Sequence, residues 1–244
     1  MKKIKLLFII FFVGGTLFYK TDTTIAEKDR KYYESLGYVV WDIQTQEKII
    51  ALTFDDGPHP IYTKQILDLL KQYEAKGTFF LVGKQAENNP ELVLRMNEEG
   101  HAIGNHTYTH PSSKSVPQIM KEIEQTNTTL INIIGYSPKL FRPVEGYYTE
   151  QLVNEVVKEG YQMVMWSWHQ DTEDWRDPGV NKIVGKVLNG AAEGNIVLFH
   201  DGGSNRQQTV QALEIILPEL KKQGYTFVTV AELLELQNER KAGK

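Results

Sequence analysis

Ile49-Ile50-Ala51-Leu52-Thr53-Phe54-Asp55-Asp56-Gly57-Pro58 decides the fold: a short apolar run that stops on two carboxylates and a turn. Such a run, bounded by Asp, Gly and Pro, predicts a strand over Ile49 to Phe54 buried on both faces. Working outward, Ile61 to Tyr73 places Ile66, Leu67, Leu69, Leu70 and Tyr73 on one side of a helix, and Gly77 stops it. The rhythm then repeats. Strands are expected at Thr78 to Val82, His101 to Gly104, Lys139 to Pro143, Tyr161 to Trp168, Asn195 to Phe199 and Tyr225 to Val230. Helices are expected at Lys84 to Glu98, Gln118 to Ile134, Glu150 to Lys158, Asn181 to Leu188 and Gln208 to Lys222, the last kinked or split by Pro218. Seven apolar strands alternating with helices predict an α/β fold around a parallel sheet. The pattern does not decide between an open sheet and a closed barrel.

The chain has 244 residues, no cysteine and a net charge of −4. That length suits one domain. The charge gives no basis for a nucleic-acid partner. Without cysteine, any metal must be held by His and carboxylate. At the N-terminus Lys2, Lys3 and Lys5 precede the apolar run Leu6 to Phe18, the layout of an export signal. Residues 1–26 are therefore read either as a signal peptide cut after Ala26 or as an uncleaved membrane anchor. Both readings place the remainder outside the cell, secreted or tethered to the membrane. Residues 27–48 are read as a linker with a leading strand near Tyr38 to Ile43, 49–235 as the catalytic domain and 236–244 as a polar tail.

Polar clusters recur where strands end. Asp55-Asp56 follows the first strand of the repeat, His106 and His110 the third, Arg142 the fourth, Asp171 and Asp174 the fifth, and His200 the sixth. In a parallel α/β protein those ends share one face, where catalytic residues converge. Adjacent carboxylates such as Asp55 and Asp56 are costly to hold together unless a cation or proton shares them. His106 and His110 stand at i and i+4, so on a helix they share a face and bind one ion. With Asp55 or Asp56 they make a two-His, one-carboxylate set. His200 with a carboxylate partner is a candidate general acid. His59, His101 and His169 are read as structural or surface residues. One or both of Trp166 and Trp168 are expected to face the core, with Trp175 exposed in a polar loop.

Thr53-Phe54-Asp55-Asp56-Gly57, His106-x-x-x-His110, Arg142-Pro143, Asp171-Thr172-Glu173-Asp174-Trp175 and Leu198-Phe199-His200 together resemble the polysaccharide deacetylase family. This is the NodB-homology domain, or carbohydrate esterase family 4, and the resemblance runs from about Ile49 to Leu234. It implies a distorted (β/α)7-type barrel. It also implies a metal-dependent hydrolase that removes N-acetyl groups from N-acetylglucosamine-containing polysaccharide, either peptidoglycan or chitooligosaccharide, and releases acetate. An O-acetyl xylan esterase and a catalytically silent wall-binding protein are the alternatives. By the same resemblance Asp55 is the base, and Asp56, His106 and His110 hold the metal, zinc first with cobalt or nickel as options. Arg142 orients the base, and Asp174 pairs with the acid His200. Pro143, Glu145, Trp175 and Leu198 line the substrate groove. One departure stands out. The family commonly has Arg-Pro-Pro, an aromatic and Gly, whereas this chain reads Arg142-Pro143-Val144-Glu145-Gly146, so an acid replaces the ring and the Glu145 backbone N–H becomes the oxyanion donor.

Overall fold

The Asp29 side chain caps a helix, α1 (Arg30–Leu36), by accepting the Tyr32 N–H. The computed structural model describes residues 29–242, so the export segment expected over residues 1–26 lies outside them. After α1 come β1 (Val39–Val40), β2 (Ile49–Asp55), α2 (Tyr62–Gln72), β3 (Gly77–Leu81), α3 (Gly83–Asn88), α4 (Pro90–Glu98), β4 (Ala102–Asn105), α5 (Val116–Ile134) and β5 (Leu140–Phe141). Then follow α6 (Glu150–Lys158), β6 (Gln162–Val164), α7 (Val180–Gly190), β7 (Ile196–His200), α8 (Gln207–Lys222), β8 (Thr226–Phe227) and α9 (Val230–Ala242). Among the described residues no helix is long and apolar enough to cross a membrane.

The strands pair in the order β1-β6-β5-β4-β3-β2-β7, every pair parallel, with β8 added against the start of β2. The two ends of that path do not form a regular ladder. Irregular chain fills the seam: Asp42 bridges Asn195, Asp171 bridges Leu198, and the Ser167 N–H donates to Ile196 O at 2.9 Å. The result is a distorted, incompletely laddered barrel ringed by helices.

Period-2 alternation sorts β2 between two cores. Ile50, Leu52 and Phe54 point outward with Phe79, Leu81, Val197 and Phe199, against Ile66, Leu67 and Leu70 of α2 and Leu213, Ile216 and Leu217 of α8. Phe54 stacks between Phe79 (4.9 Å) and Phe199 (5.6 Å). Ile49 and Ala51 point inward with Phe80, Leu140, Val164 and Ile196 to fill the barrel. The same alternation turns Thr53 and Asp55 inward, which places a carboxylate at the top of the barrel.

Several expectations are corrected. The helix expected over Lys84 to Glu98 is two helices. Pro90 disfavours helical backbone at the residue before it, and Asn89 sits at φ −137°, ψ 56°. Pro218 neither splits nor ends α8, which runs through it as one helix. The linker contains α1, and the polar tail continues α9 to Ala242. The strand expected over Tyr161 to Trp168 pairs only through Gln162–Val164. Trp168, in a 3-10 turn beyond it, is 70 % exposed, so only Trp166 of that pair packs.

Gly104 in β4 faces the ring of Phe80, and a Cβ there would lie 2.5 Å from Phe80 Cδ1. Gly104→Ala is expected to destabilise the protein by roughly 1–3 kcal/mol through overpacking, read as a lower urea midpoint at unchanged slope.

Candidate active site

Two pairs and one trio of side chains meet above the barrel. The first is Asp55, 3 % exposed at the end of β2, with Arg142, fully buried just after β5. Arg142 Nη1 donates to Asp55 Oδ1 at 2.8 Å and to Thr53 Oγ1 at 2.8 Å. Its Nε donates to Val164 O (3.1 Å) and its Nη2 to Met165 O (2.7 Å). The guanidinium also lies 4.1 Å from the Phe80 ring centroid. Burial pulls the Arg142 pKa down, and the Asp55 carboxylate opposes that fall. The N–H groups of Asp201 and Gly202 donate to Asp55 O, fixing the strand end from β7.

The second group is Asp56, His106 and His110. Asp56 takes φ 75°, which swings its carboxylate away from Asp55 toward the loop after β4. His106 Nδ1 is 2.7 Å from Arg142 O, a bond that requires the proton on Nδ1 and leaves the Nε2 lone pair facing Asp56 Oδ1 at 3.6 Å. His110 Nε2 lies 3.1 Å from the same oxygen. The imidazoles do meet, with ring centroids 5.2 Å apart, but not on a helix: the segment is irregular, with Thr107 at φ 68° and His110 at φ 57°. Glu122 of α5 holds it. Its carboxylate accepts the Tyr108 N–H (3.1 Å), the Thr109 N–H (2.6 Å) and the Thr109 hydroxyl.

These residues fit a divalent cation. One ligand atom from each of Asp56, His106 and His110 lies within 4.8 Å of the others. Asp56 Oδ1 is buried and accepts no well-directed hydrogen bond despite the nearby imidazoles. Burial alone would raise the Asp56 pKa, but His110, His106 and His200 outweigh it and hold the carboxyl well below its usual range. Burial keeps His106 neutral, its pKa lowered, as a ligand must be. A cation there answers the crowding of Asp55 and Asp56 noted in the sequence.

The third group is Asp174 and His200. His200 Nδ1 donates to Asp174 Oδ1 at 2.7 Å, while the His200 N–H (2.9 Å) and the Thr209 hydroxyl (2.7 Å) donate to Oδ2. Burial favours neutral imidazole, yet the Asp174 carboxylate overcomes it and raises His200 to about 9. Asp174 itself is lowered: burial pushes it up, and His200 and Thr209 more than compensate.

The residues expected around a groove are more scattered. Pro143 and Leu198 are buried, Glu145 is exposed, and Trp175 is 48 % exposed with the Arg176 guanidinium 4.5 Å from its ring centroid. Glu145 sits at φ 55° in the 3-10 turn Val144–Gly146. The turn's hydrogen bonds use the Gly146 and Tyr147 N–H groups, leaving the Glu145 N–H out of them. Asp171 serves the loop, accepting the Glu173 N–H at 3.0 Å. His59, His101 and His169 take structural roles, such as His101 Nδ1 accepting the Gly77 N–H at 3.1 Å.

Sequence reading gave no role to Asp201, Thr53, Thr209 or Glu122. Asp201 is fully buried and raised to about 7, chiefly by that burial; Thr63 donates to one oxygen and the other has no partner. Its carboxylate fills the space beside Gly57, where any Cβ would collide with it. Its position directly after His200 was the available signal.

A sequence profile for polysaccharide deacetylases matches residues 42–164. The chain is 50 % identical to a peptidoglycan-N-acetylglucosamine deacetylase of Bacillus cereus over 211 residues, 86 % of this chain and 99 % of that one. It is 38 % identical to the peptidoglycan-N-acetylmuramic acid deacetylase PdaC of Bacillus subtilis over 82 % of this chain, spanning 42 % of that longer protein. The fold matches the crystal structure of a peptidoglycan N-acetylglucosamine deacetylase, Bc1960, in complex with 4-naphthalen-1-yl-N-oxidanyl-benzamide. The TM-score is 0.78 at 36 % identity, covering 82 % of this chain and 94 % of that one.

His106→Ala is expected to weaken divalent-metal binding by more than the about 10–100-fold typical of losing an outer-shell partner. Asp55→Asn is expected to keep the metal. Elemental analysis after dialysis against a weak chelator reads both.

Proposed function

The chain belongs to the polysaccharide deacetylase family, and on that premise we propose that it removes N-acetyl groups from N-acetylglucosamine units of cell-wall peptidoglycan, releasing acetate. Chitooligosaccharide, the substrate named for a Bradyrhizobium relative at 36 % identity, is the second candidate. The observation that carries the reading is the convergence of a clamped carboxylate, a cation site and a charged imidazole on one barrel face. Zinc suits two imidazoles and one carboxylate, and cobalt and nickel suit them too. When bound, the ion supplies Lewis-acid polarisation and makes water acidic enough to attack at neutral pH.

The protein residues divide the remaining work. Asp55, fixed by Arg142, takes the proton of the attacking water. The Glu145 N–H, not used by its own turn, donates to the oxyanion that develops on the acetyl carbonyl. His200, with Nδ1 held by Asp174, delivers a proton from Nε2 to the departing amine nitrogen. Water and the acetamide become acetate and a free amino sugar. Leu198 offers an apolar wall to the acetyl methyl, and Pro143, Glu145 and Trp175 border the glycan. Glu145 in place of the family's aromatic alters sugar contacts and leaves the backbone donor in place. The charged-then-apolar N-terminus and the peptidoglycan substrates of the relatives support action outside the membrane, secreted or tethered. A silent wall-binding role is disfavoured because base, acid and ligand set are all present.

Acetate release from peptidoglycan and from chitooligosaccharide, with and without chelator, tests the proposal. Chelator-sensitive release from either substrate is expected; none from both overturns it. Asp55→Asn is expected to lower kcat by about 100- to 10,000-fold. Asp174→Asn removes the charge that raises His200 to about 9. An acid must be protonated to act, so activity is present below its pKa and lost as pH rises through it. In Asp174→Asn burial is opposed only by the weaker pull of Asp55 and Asp56, so the imidazole pKa falls and the alkaline limb of the kcat profile moves to lower pH. An unmoved limb would remove His200 from the acid role.

A further inference from the structure

Beside the cation site, on the side formed by the start of α3, lies a cavity of about 150 Å³ lined by Asp56, Val82, Lys84, Gln85, Thr109, His110 and Gly203. At ~30 Å³ per liquid water it has room for a three-carbon acid with water to spare. Its wall is rigidly tied to the metal-ligand loop. The Gly83 N–H donates to Thr107 O at 2.9 Å and the Lys84 N–H to Tyr108 O at 3.0 Å. Gly83 permits that approach, since a Cβ there would lie 2.5 Å from Tyr108 Cδ2 and from Thr126 Oγ1.

Lys84 is a charge without a partner. It is exposed, and no ion pair or side-chain hydrogen bond neutralises it among the described residues. The acid one helical turn on, Glu87, accepts the Tyr108 hydroxyl instead. Glu122, the other carboxylate near this loop, is occupied by Tyr108, Thr109 and Lys114. The Gln85 amide is likewise unengaged, whereas the Thr109 hydroxyl is committed to Glu122. Asp56, the carboxylate in the lining, is turned to His106 and His110 and to the cation they would share. That leaves an ammonium and an amide as the side chains free to receive an anion at the mouth of the cavity.

We propose that the Lys84–Gln85 cavity is a subsite for a carboxylate carried by the muramic unit next to the reacting sugar, and that it makes the enzyme prefer peptidoglycan to neutral glycans. This rests on the deacetylase reading and narrows its substrate. The carboxylate has two sources: the lactyl group of strands stripped of peptide, and the stem peptide of intact strands. Chitin oligomers carry neither.

The full-length protein with its divalent metal, and its Lys84→Gln and Lys84→Arg variants, are assayed on peptide-free muramyl glycan, peptide-bearing glycan and chitotetraose. Lys84→Gln is expected to raise KM about 5- to 10-fold on muramyl glycan with kcat within twofold, Lys84→Arg to restore most of it, and chitotetraose kinetics to stay unchanged. A KM effect confined to peptide-bearing strands would assign the anion to the stem peptide; an effect confined to peptide-free strands assigns it to the lactyl group, and an effect on both shows that the cavity takes either carboxylate. Equal losses on chitotetraose, or no change on any substrate, overturn the proposal. Titrating the same proteins with peptide-free muramyl disaccharide and with its carboxyl methyl ester reads the subsite without turnover. Parent protein that binds the acid better than the ester, with the difference abolished in Lys84→Gln, supports the subsite even if no acetate is released, a result that would count against the deacetylase reading alone. Equal binding of acid and ester by the parent, together with no KM effect of Lys84→Gln on peptide-bearing strands, overturns it.

Discussion

The buried ion pair between Arg142 and Asp55 is the constraint on which the site depends. Taking a guanidinium and a carboxylate out of water is expensive, and it is tolerable only when every remaining polar direction is satisfied. Arg142 meets that condition by spanning the barrel: it reaches Thr53 and Asp55 on β2, the carbonyls of Val164 and Met165 at β6, and the face of Phe80 on β3. A lysine could not copy this, because its point charge lacks the planar fork that serves several acceptors at once. Removing either partner would strand the other charge, a loss of about 3–5 kcal/mol in comparable sites. The clamp also fixes which oxygen of Asp55 is free, since Oδ1 is committed to Arg142 and Oδ2 faces His106 at 3.9 Å. Through its own carbonyl Arg142 sets the tautomer of His106 as well. One residue therefore orients both the carboxylate proposed as base and an imidazole of the candidate metal site.

Around that clamp the charges are graded. Asp55 answers to Arg142, Asp174 to His200 and Thr209, and Asp56 to the imidazoles and the cation they would share. The fourth acid, Asp201, has no cation in contact, and burial raises it to about 7. Near neutrality it can therefore carry a proton and sit beside Gly57 without adding a full negative charge under Asp55 and Asp56. Opposite signs are placed so that each ionised group is held by a specific neighbour, which keeps the constellation rigid before substrate arrives.

Much of this was readable from the chain because strand periodicity and strand ends are local. The apolar run predicts a strand over Ile49 to Phe54 with Asp55 at its end, and in the structure that strand turns Thr53 and Asp55 into the barrel. The strand-end rule collected Asp55, Asp56, His106, His110, Arg142, Asp171, Asp174 and His200; the structure brings them to one face but ties the Asp171 carboxylate into its own loop. What was not readable depends on distant or irregular chain. The seam of the barrel is made by the bridges Asp42–Asn195 and Asp171–Leu198, with no periodic signal to mark them. Spacing brought His106 and His110 together for the wrong reason: i,i+4 invites a helix, whereas a looped segment does the work. Glu122 lies over a dozen residues downstream on α5, and nothing local connects it with that loop.

That loop shows how an unfavourable backbone is retained. Thr107 and His110 occupy the left-handed region, which for residues with a Cβ costs on the order of 1–2 kcal/mol each, and Thr107 is β-branched as well. Glycine at either place would relieve the strain, but at 110 it would delete a ligand. The alternative is to over-determine the conformation from outside. Asn105 Oδ1 accepts the Thr107 N–H at 2.9 Å, Glu122 gathers the Tyr108 and Thr109 N–H groups, and the Gly83 and Lys84 N–H groups donate to Thr107 and Tyr108 carbonyls. Five backbone groups of a three-residue stretch are thus satisfied by other elements, and at a net ~0.5–1.5 kcal/mol each they offset the strain. The consequence is a ligand pair whose geometry is set by β4, α3 and α5 together. The loop can therefore receive an ion without folding around it, and the backbone of Lys84, hydrogen-bonded into the same loop, is held in a fixed relation to Asp56, His106 and His110.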